Sequence, residues 1–282
     1  MASQLLIVRR KMGNAVFVVF CWVGAAIALG FLALILWSLI VKGLGGIDLK
    51  VFTMDTPAPG SPGGLRNAIM GSLEMCAIAM LLAVTFGVLA GTWLAEYAGD
   101  SLYGKVVRFV NDVLLSAPSI LIGLFVYTLM VKPFHGFSGL AGAVALALLA
   151  APVVTRTTED VMKLQPPALR EAGVALGSPL ASTIRRILWR AASTGILTGG
   201  LLAFARISGE TAPLLFTALN NQFFSWNLTQ PTANLPTVIF NYALSAYDDW
   251  QRLAWAGAAL IAFAVLFVNI IARTLARESR RS

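Results

Sequence analysis

Arg206, Ser208, Glu210 and Thr211 stand within six positions at the end of a long apolar run. A guanidinium flanked by hydroxyls suits an oxyanion, which crosses an apolar medium only against compensating positive charge or hydrogen-bond donors. Each ionised group at the centre of a membrane helix costs about 2.5–3.5 kcal/mol, so an intramembrane arginine is by default a candidate functional group. On a continuous helix Glu210 would lie four residues beyond Arg206, on the same face, and would offset much of that cost. Two readings follow. Either Arg206 lines an anion pathway, with Ser208, Glu210 and Thr211 beside it, or Arg206 and Glu210 form an ion pair that holds two helices together.

Other chemistries find little support. The sequence shows no catalytic dyad and no metal-ligand cluster, and His135 is its single histidine. Gly99-Asp-Ser-Leu-Tyr-Gly104-Lys105-Val106 has the glycine and lysine spacing of a nucleotide-binding loop. Val106, however, lacks the hydroxyl that Mg²⁺ needs there, and no strand precedes the segment. Cys21 and Cys76 lie in separate apolar runs, as packing residues rather than a disulfide framework or a metal pair.

The elements that must position Arg206 are membrane helices. Of 282 residues 58% are hydrophobic and only 12% charged, with a mean hydropathy of +0.79, too few charges to cover a soluble globule. Arg9-Arg10-Lys11 precede the charge-free run Met12 to Val41, which exceeds the roughly 20 residues needed to cross a bilayer and reads as an uncleaved anchor. Further spans are expected at about Asn67 to Ala95 with Glu74 near its outer end, between Asp112 and Lys132 with Pro118 inside, and between Lys132 and Arg156. Two more begin near Ala191 and at Leu253. The Pro- and Gly-rich stretch Asp55 to Gly64 is a loop, and Thr237 to Tyr247 a short interfacial helix. Gly87-x-x-x-Gly91 and Gly195-x-x-x-Gly199 permit close helix approach or are incidental glycines.

With both termini in the cytoplasm, segments 1–11, 96–108, 155–190 and 273–282 hold fifteen of the 21 Lys and Arg, as the positive-inside rule requires. The net charge of +8 is thereby accounted for by topology, and nucleic-acid binding is disfavoured. Arg206 follows Arg190 by roughly 24 Å of helix, which places it in the outer half of the bilayer.

The longest polar interruption, Pro166 to Arg190, faces the cytoplasm in this topology. A helix opens at Pro166-Pro167, runs through Leu176 and stops at Gly177, a C′ glycine. Leu169, Ala172 and Leu176 share one apolar stripe, and Ser178 is placed to cap a second helix with Pro179 in its first turn. Glu171-Ala172, then Gly177, then Ile187 resembles the EAA motif of binding-protein-dependent ABC importer permeases. Gly173 stands where that family has its second alanine, and Trp189-Arg190 where Leu-Pro is usual. The resemblance assigns Glu171, Ala172, Gly173, Leu176 and Gly177 to ATPase coupling.

More of the chain carries a narrower resemblance. EYAG (Glu96 to Gly99), RFVNDVLLSAPSILIGLFVY (Arg108 to Tyr127), RTTED (Arg156 to Asp160), ARISGETAPLLFTALNNQF (Ala205 to Phe223) and QRLAWAG (Gln251 to Gly257) are similar to PstA-type permeases of bacterial phosphate ABC importers. The resemblance implies an all-α integral membrane protein with six transmembrane helices and a type I importer fold with a cytoplasmic coupling helix. In this division 1–66 is an N-terminal helix with a periplasmic loop, 67–273 the permease core and 274–282 a cytoplasmic tail. Implied partners are a PstC-type permease, a PstB-type ATPase dimer, a periplasmic phosphate-binding protein and membrane lipid, in a bacterial inner membrane. ATP and Mg²⁺ would belong to the ATPase, and this chain would bind no cofactor and be no enzyme. The competing functions are a permease for sulfate or molybdate, and an ion-coupled secondary transporter using Glu74 and Glu210.

Overall fold

The computed structural model describes residues 2–278, and among them it contains helices and turns but no strand. Of the expected tail at 274–282, residues 279–282 lie outside the described residues. Five segments are long and apolar enough to span a membrane. They belong to α1 (Ala2–Leu44), α3 (Arg66–Glu96), α6 (Gly139–Lys163), the continuous stretch Leu180–Ile207, and α12 (Asp248–Glu278). Between α1 and α3 lies the single turn α2 (Leu49–Thr53).

The span expected between Asp112 and Lys132, with Pro118 inside, begins earlier, at Leu102, and is not a single helix. It is a broken pair, α4 (Leu102–Ser116) and α5 (Ser119–Val126) with a π turn at Tyr127–Val131, bent by 105°. Pro118 causes the break: proline lacks an N–H and drives the preceding residue out of the helical region, and Ala117 is extended at φ −65°, ψ 135°.

α6 is the axis of the bundle, with 72% of its most apolar stretch buried. Its neighbours approach through glycine. A Cβ at Gly87 of α3 would lie 2.7 Å from Val154 Cβ, and one at Gly91 2.6 Å from the Thr155 carbonyl. A Cβ at Gly195 would lie 2.5 Å from Val161 Cγ1, and one at Gly199 would collide with Thr157. Both glycine pairs are therefore packing devices, one on each side of α6.

Leu180–Ile207 comprises α8 (Leu180–Thr183), a π turn at Ile184–Leu188 and α9 (Trp189–Ile207). Ser178 caps nothing there: Pro179 takes the cap position. At the end opposite α4, α11 (Leu235–Ala243) is the expected short helix, capped by Asn234 Oδ1, which accepts from Thr237 N at 2.9 Å. Asn67 Nδ2 donates to Thr56 Oγ1 and to the Asn221 carbonyl, tying the two loops at this end together. α1 stands apart from the core along α12, closest at Gly43, where a Cβ would lie 2.6 Å from Ala259 Cβ. Cys21 is exposed on α1, against its reading as a packing residue.

Candidate functional site

α9 stops at Ile207, and Glu210 lies beyond it in the turn that leads to α10 (Ala212–Thr217). Pro213 in the first turn of α10 has no N–H with which to carry α9 onward. Ser208 N and Oγ both donate to the Phe204 carbonyl, at 3.0 and 2.6 Å, and Glu210 N donates to the Ile207 carbonyl at 3.2 Å. The helical i,i+4 relation between Arg206 and Glu210 is thus absent. Both side chains are half-buried, and among the described residues no ion pair joins them. Thr211 also stands in the turn, its carbonyl accepting from Leu214 N and Leu215 N. The helix that follows the turn is firmly seated, since a Cβ at Gly123 of α5 would lie 2.6 Å from Pro213 Cα in α10. The structure therefore gathers Arg206, Ser208, Glu210 and Thr211 at one helix end, with the guanidinium in the last turn of α9, where the helix dipole favours a cation.

At the other end of α9 the polar segment forms α7 (Pro167–Ala175), with Leu176 as C-cap and Gly177 at φ +73°. Ser178 N donates to the Gly173 carbonyl at 3.1 Å and Gly177 N to the Val174 carbonyl at 2.9 Å, the paired bonds of a Schellman stop. The orientation of α7 corrects the stripe read from spacing. Leu169 packs inward on Met162, Ile184, Leu188 and Ala192, and Gly173 is buried against Thr183. A Cβ on Gly173 would come within 2.5 Å of Thr183 Cγ2, so the helix needs glycine at this contact. The outward face carries Glu171 and Ala172 with Val174 and Leu176, the last 86% exposed.

Arg170 fastens α7 to the bundle. Its Nε and Nη2 donate to Glu96 at 2.8 and 2.6 Å, Nη1 to the Gln165 carbonyl at 2.9 Å and Nη2 also to the Met162 carbonyl at 3.0 Å. The Glu96 side chain is 3% exposed, and its bonds hold the Arg170 guanidinium above its ordinary pKa. A second cluster lies alongside. Arg108 Nε and Lys163 Nζ both donate to Glu159 Oε1, at 2.7 and 2.6 Å, while Arg108 also reaches the Gly99 and Leu94 carbonyls. Sequence reasoning treated Glu96 and Glu159 only as parts of recognisable stretches. The available signal was an acid at the end of an apolar run with basic residues in the following polar segment.

The nucleotide-loop spacing has no such geometry: Ser101 caps α4, and Gly104 and Lys105 lie inside that helix.

Five long apolar spans and a sixth, bent pair define a multi-pass membrane protein. The family profile described as binding-protein-dependent transport system inner membrane component matches residues 83–281. A phosphate transport system permease protein PstA of Haemophilus influenzae is 53% identical over 264 residues, 94% of each chain. One from Xylella fastidiosa is 52% identical over 97% of this chain and 96% of its own. A probable PstA of Methanocaldococcus jannaschii is 37% identical over 88% and 89%. Among solved structures, the methionine ABC transporter MetNI in an inward-facing form superposes with TM-score 0.63 at 16% identity, over 75% of this chain and 94% of that one. A bacterial alginate ABC transporter bound to its alginate-loaded periplasmic protein gives 0.62 at 14%, over 91% and 94%. The chain belongs to the binding-protein-dependent inner membrane component family, in its PstA branch.

Proposed function

We propose that this chain is one of two permease subunits of an ATP-driven inorganic phosphate importer in a bacterial inner membrane, with both termini cytoplasmic. Phosphate is the solute in the names of its relatives at about half identity. The observation that carries the mechanism is the rigid attachment of α7, closed by the Schellman stop and held by Arg170 on Glu96. Its outward face, from Glu171 and Ala172 to Leu176 and Gly177, docks in a separate ATPase of PstB type, on which ATP and Mg²⁺ are bound. A PstC-type permease completes the pathway, and a periplasmic phosphate-binding protein delivers the anion at the opposite end.

Within the pathway Arg206 supplies the positive charge, and Ser208 and Thr211 supply hydroxyls. Glu210 sits beside them as a carboxylate that the helix geometry leaves unpaired with Arg206. Among the described residues no carboxylate pairs with Arg206, and a guanidinium so placed is available to a passing oxyanion, which supports this reading over a structural ion pair.

Purification of the intact complex tests the assignment, through the co-purifying chains and the anion that stimulates ATP hydrolysis. Stimulation by phosphate-loaded binding protein is expected, and stimulation by sulfate or molybdate instead would overturn the substrate. Arg206→Met should abolish phosphate uptake in cells matched for complex abundance, and Arg206→Met with Glu210→Gln should remain inactive. Recovery in that double variant would restore the ion-pair reading.

A further inference from the structure

Two cavities meet at Trp189. One of about 650 Å³ runs between Val84 and Val88 of α3 and Leu197 and Gly200 of α9, with Val268 of α12 at its side. Its lining is apolar save for Ser193, whose hydroxyl is already bonded to the Arg190 carbonyl. The other, of about 480 Å³, lies at the α7 end and is lined by Thr92, Tyr97, Ser182 and Arg185. Trp189 belongs to both, and its Nε1 donates to Thr92 Oγ1 at 3.0 Å, on the polar side. The groove therefore changes from hydrocarbon-like to polar and cationic across a single indole. Tryptophan and tyrosine at such a level mark a membrane–water interface.

Charge and length narrow the occupant. Arg185, Arg186 and Arg190 are exposed, and among the described residues none of them pairs with a carboxylate. No Asp or Glu occurs between Leu180 and Leu201. From Trp189 to Gly200 the helix rises roughly 16 Å at 1.5 Å per residue. That is about one leaflet of a hydrocarbon core roughly 30 Å thick. The apolar part stays open because position 200 has no side chain: a Cβ there would meet only Val84 Cγ2, at 3.9 Å. The π turn Ile184–Leu188, a kind of irregularity that recurs at functional sites, carries two of the three arginines.

We propose that this groove is a binding site for an anionic glycerophospholipid of the leaflet on the α7 side, with its phosphate beside Arg185 and an acyl chain between Val84, Leu197 and Gly200. A protein helix laid in the groove would fill the apolar part and leave the Arg185 guanidinium that lines its polar end without counter-charge. The proposal does not depend on which solute is carried.

The test is native mass spectrometry of the intact complex, after exchange into lipid-free detergent and after reconstitution in phosphatidylcholine nanodiscs with added phosphatidylglycerol. The wild-type complex should retain phosphatidylglycerol in preference to phosphatidylcholine. Loss of one guanidinium in Arg185→Gln should raise the phosphatidylglycerol needed for half-occupancy about fivefold, the factor corresponding to about 1 kcal/mol per basic group at a membrane surface. Gly200→Trp, which fills the chain seat and leaves the arginines in place, should also lose the retained lipid. If Arg185→Gln fails to assemble, the wild-type preference and Gly200→Trp decide. Retention of no phospholipid by wild type, equal retention of the two lipids, or unchanged retention in Gly200→Trp would overturn the site. So would efficient cross-linking of a cysteine at Leu197 to the second permease, because the groove would then hold a protein helix.

Discussion

Removing the Arg170 side chain should loosen α7 more than any other single change on that helix. The guanidinium makes four hydrogen bonds, two of them to a carboxylate whose side chain is 3% exposed. Deleting one partner of a buried pair costs about 3–5 kcal/mol because the remaining charge is stranded. A quarter of the Arg170 side chain is exposed, so water screens part of the interaction and the lower end, about 3 kcal/mol, applies. That equals roughly a 150-fold rise in the open population of α7. Glu96→Gln should be milder, about 1–2 kcal/mol, since the bonds to the Gln165 and Met162 carbonyls survive. Hydrogen exchange of the amides from Ala168 to Ser178, measured in the intact complex, reads this directly. Arg170→Ala should accelerate exchange by about two orders of magnitude, and adding Glu96→Gln should slow it again by removing the stranded carboxylate. Wild-type exchange in Arg170→Ala, or a double variant faster than the single, would refute the latch.

Three further outcomes are expected. Gly173→Ala forces a Cβ to within 2.5 Å of Thr183 Cγ2 and should weaken α7 packing by about 1–3 kcal/mol, seen as faster α7 exchange, with Thr183→Ala partly suppressing it. Gly177→Val places a β-branched residue at φ +73°, a strain of about 1–3 kcal/mol, and should reduce ATPase retention on purification and phosphate uptake together. Cysteines at Asn221 and Ser182, with Cys21 and Cys76 replaced, should react with impermeant reagents from opposite sides of the membrane, and labelling of both from one side would remove the proposed topology.

Local chemistry in this chain is legible from sequence, and long-range direction is not. The Pro166-Pro167 start and Gly177 stop of α7 follow from two residue types whose backbone preferences hold in any context. Which face of α7 turns inward depends on Arg170 meeting Glu96, 74 positions away, and on Gly173 meeting Thr183. Spacing alone grouped Leu169 with Ala172 and Leu176, although Leu169 belongs to the buried side. Pro118 was visible, but hydropathy counts an apolar run equally whether straight or bent, so the 105° break was not. Likewise the i,i+4 relation of Arg206 and Glu210 presumed a helix that Pro213 ends.

That last difference bears on how movement at α7 would reach the anion. α7 is held on two sides: Arg170 ties it to the end of α3, and Leu169 and Gly173 seat it on the start of the Leu180–Ile207 span. From Leu188 to Arg206 that span rises roughly 27 Å as one helix, braced on α6 where Gly195 and Gly199 leave no room for slack against Val161 and Thr157. A displacement of α7 therefore has two places at which to be absorbed, the π turn Ile184–Leu188 and the turn around Gly209, where a Cβ would meet nothing within 4 Å. The first lies between α7 and the rigid helix, and the second lies between Arg206 and Glu210. A helix that carried both charges would move them together and leave the local field unchanged. With the break at Gly209, movement of α9 would shift the guanidinium relative to Glu210 and to α10, which is pinned by Pro213 against Gly123, so in the proposed pathway the balance of charge offered to an anion would change with the position of α7.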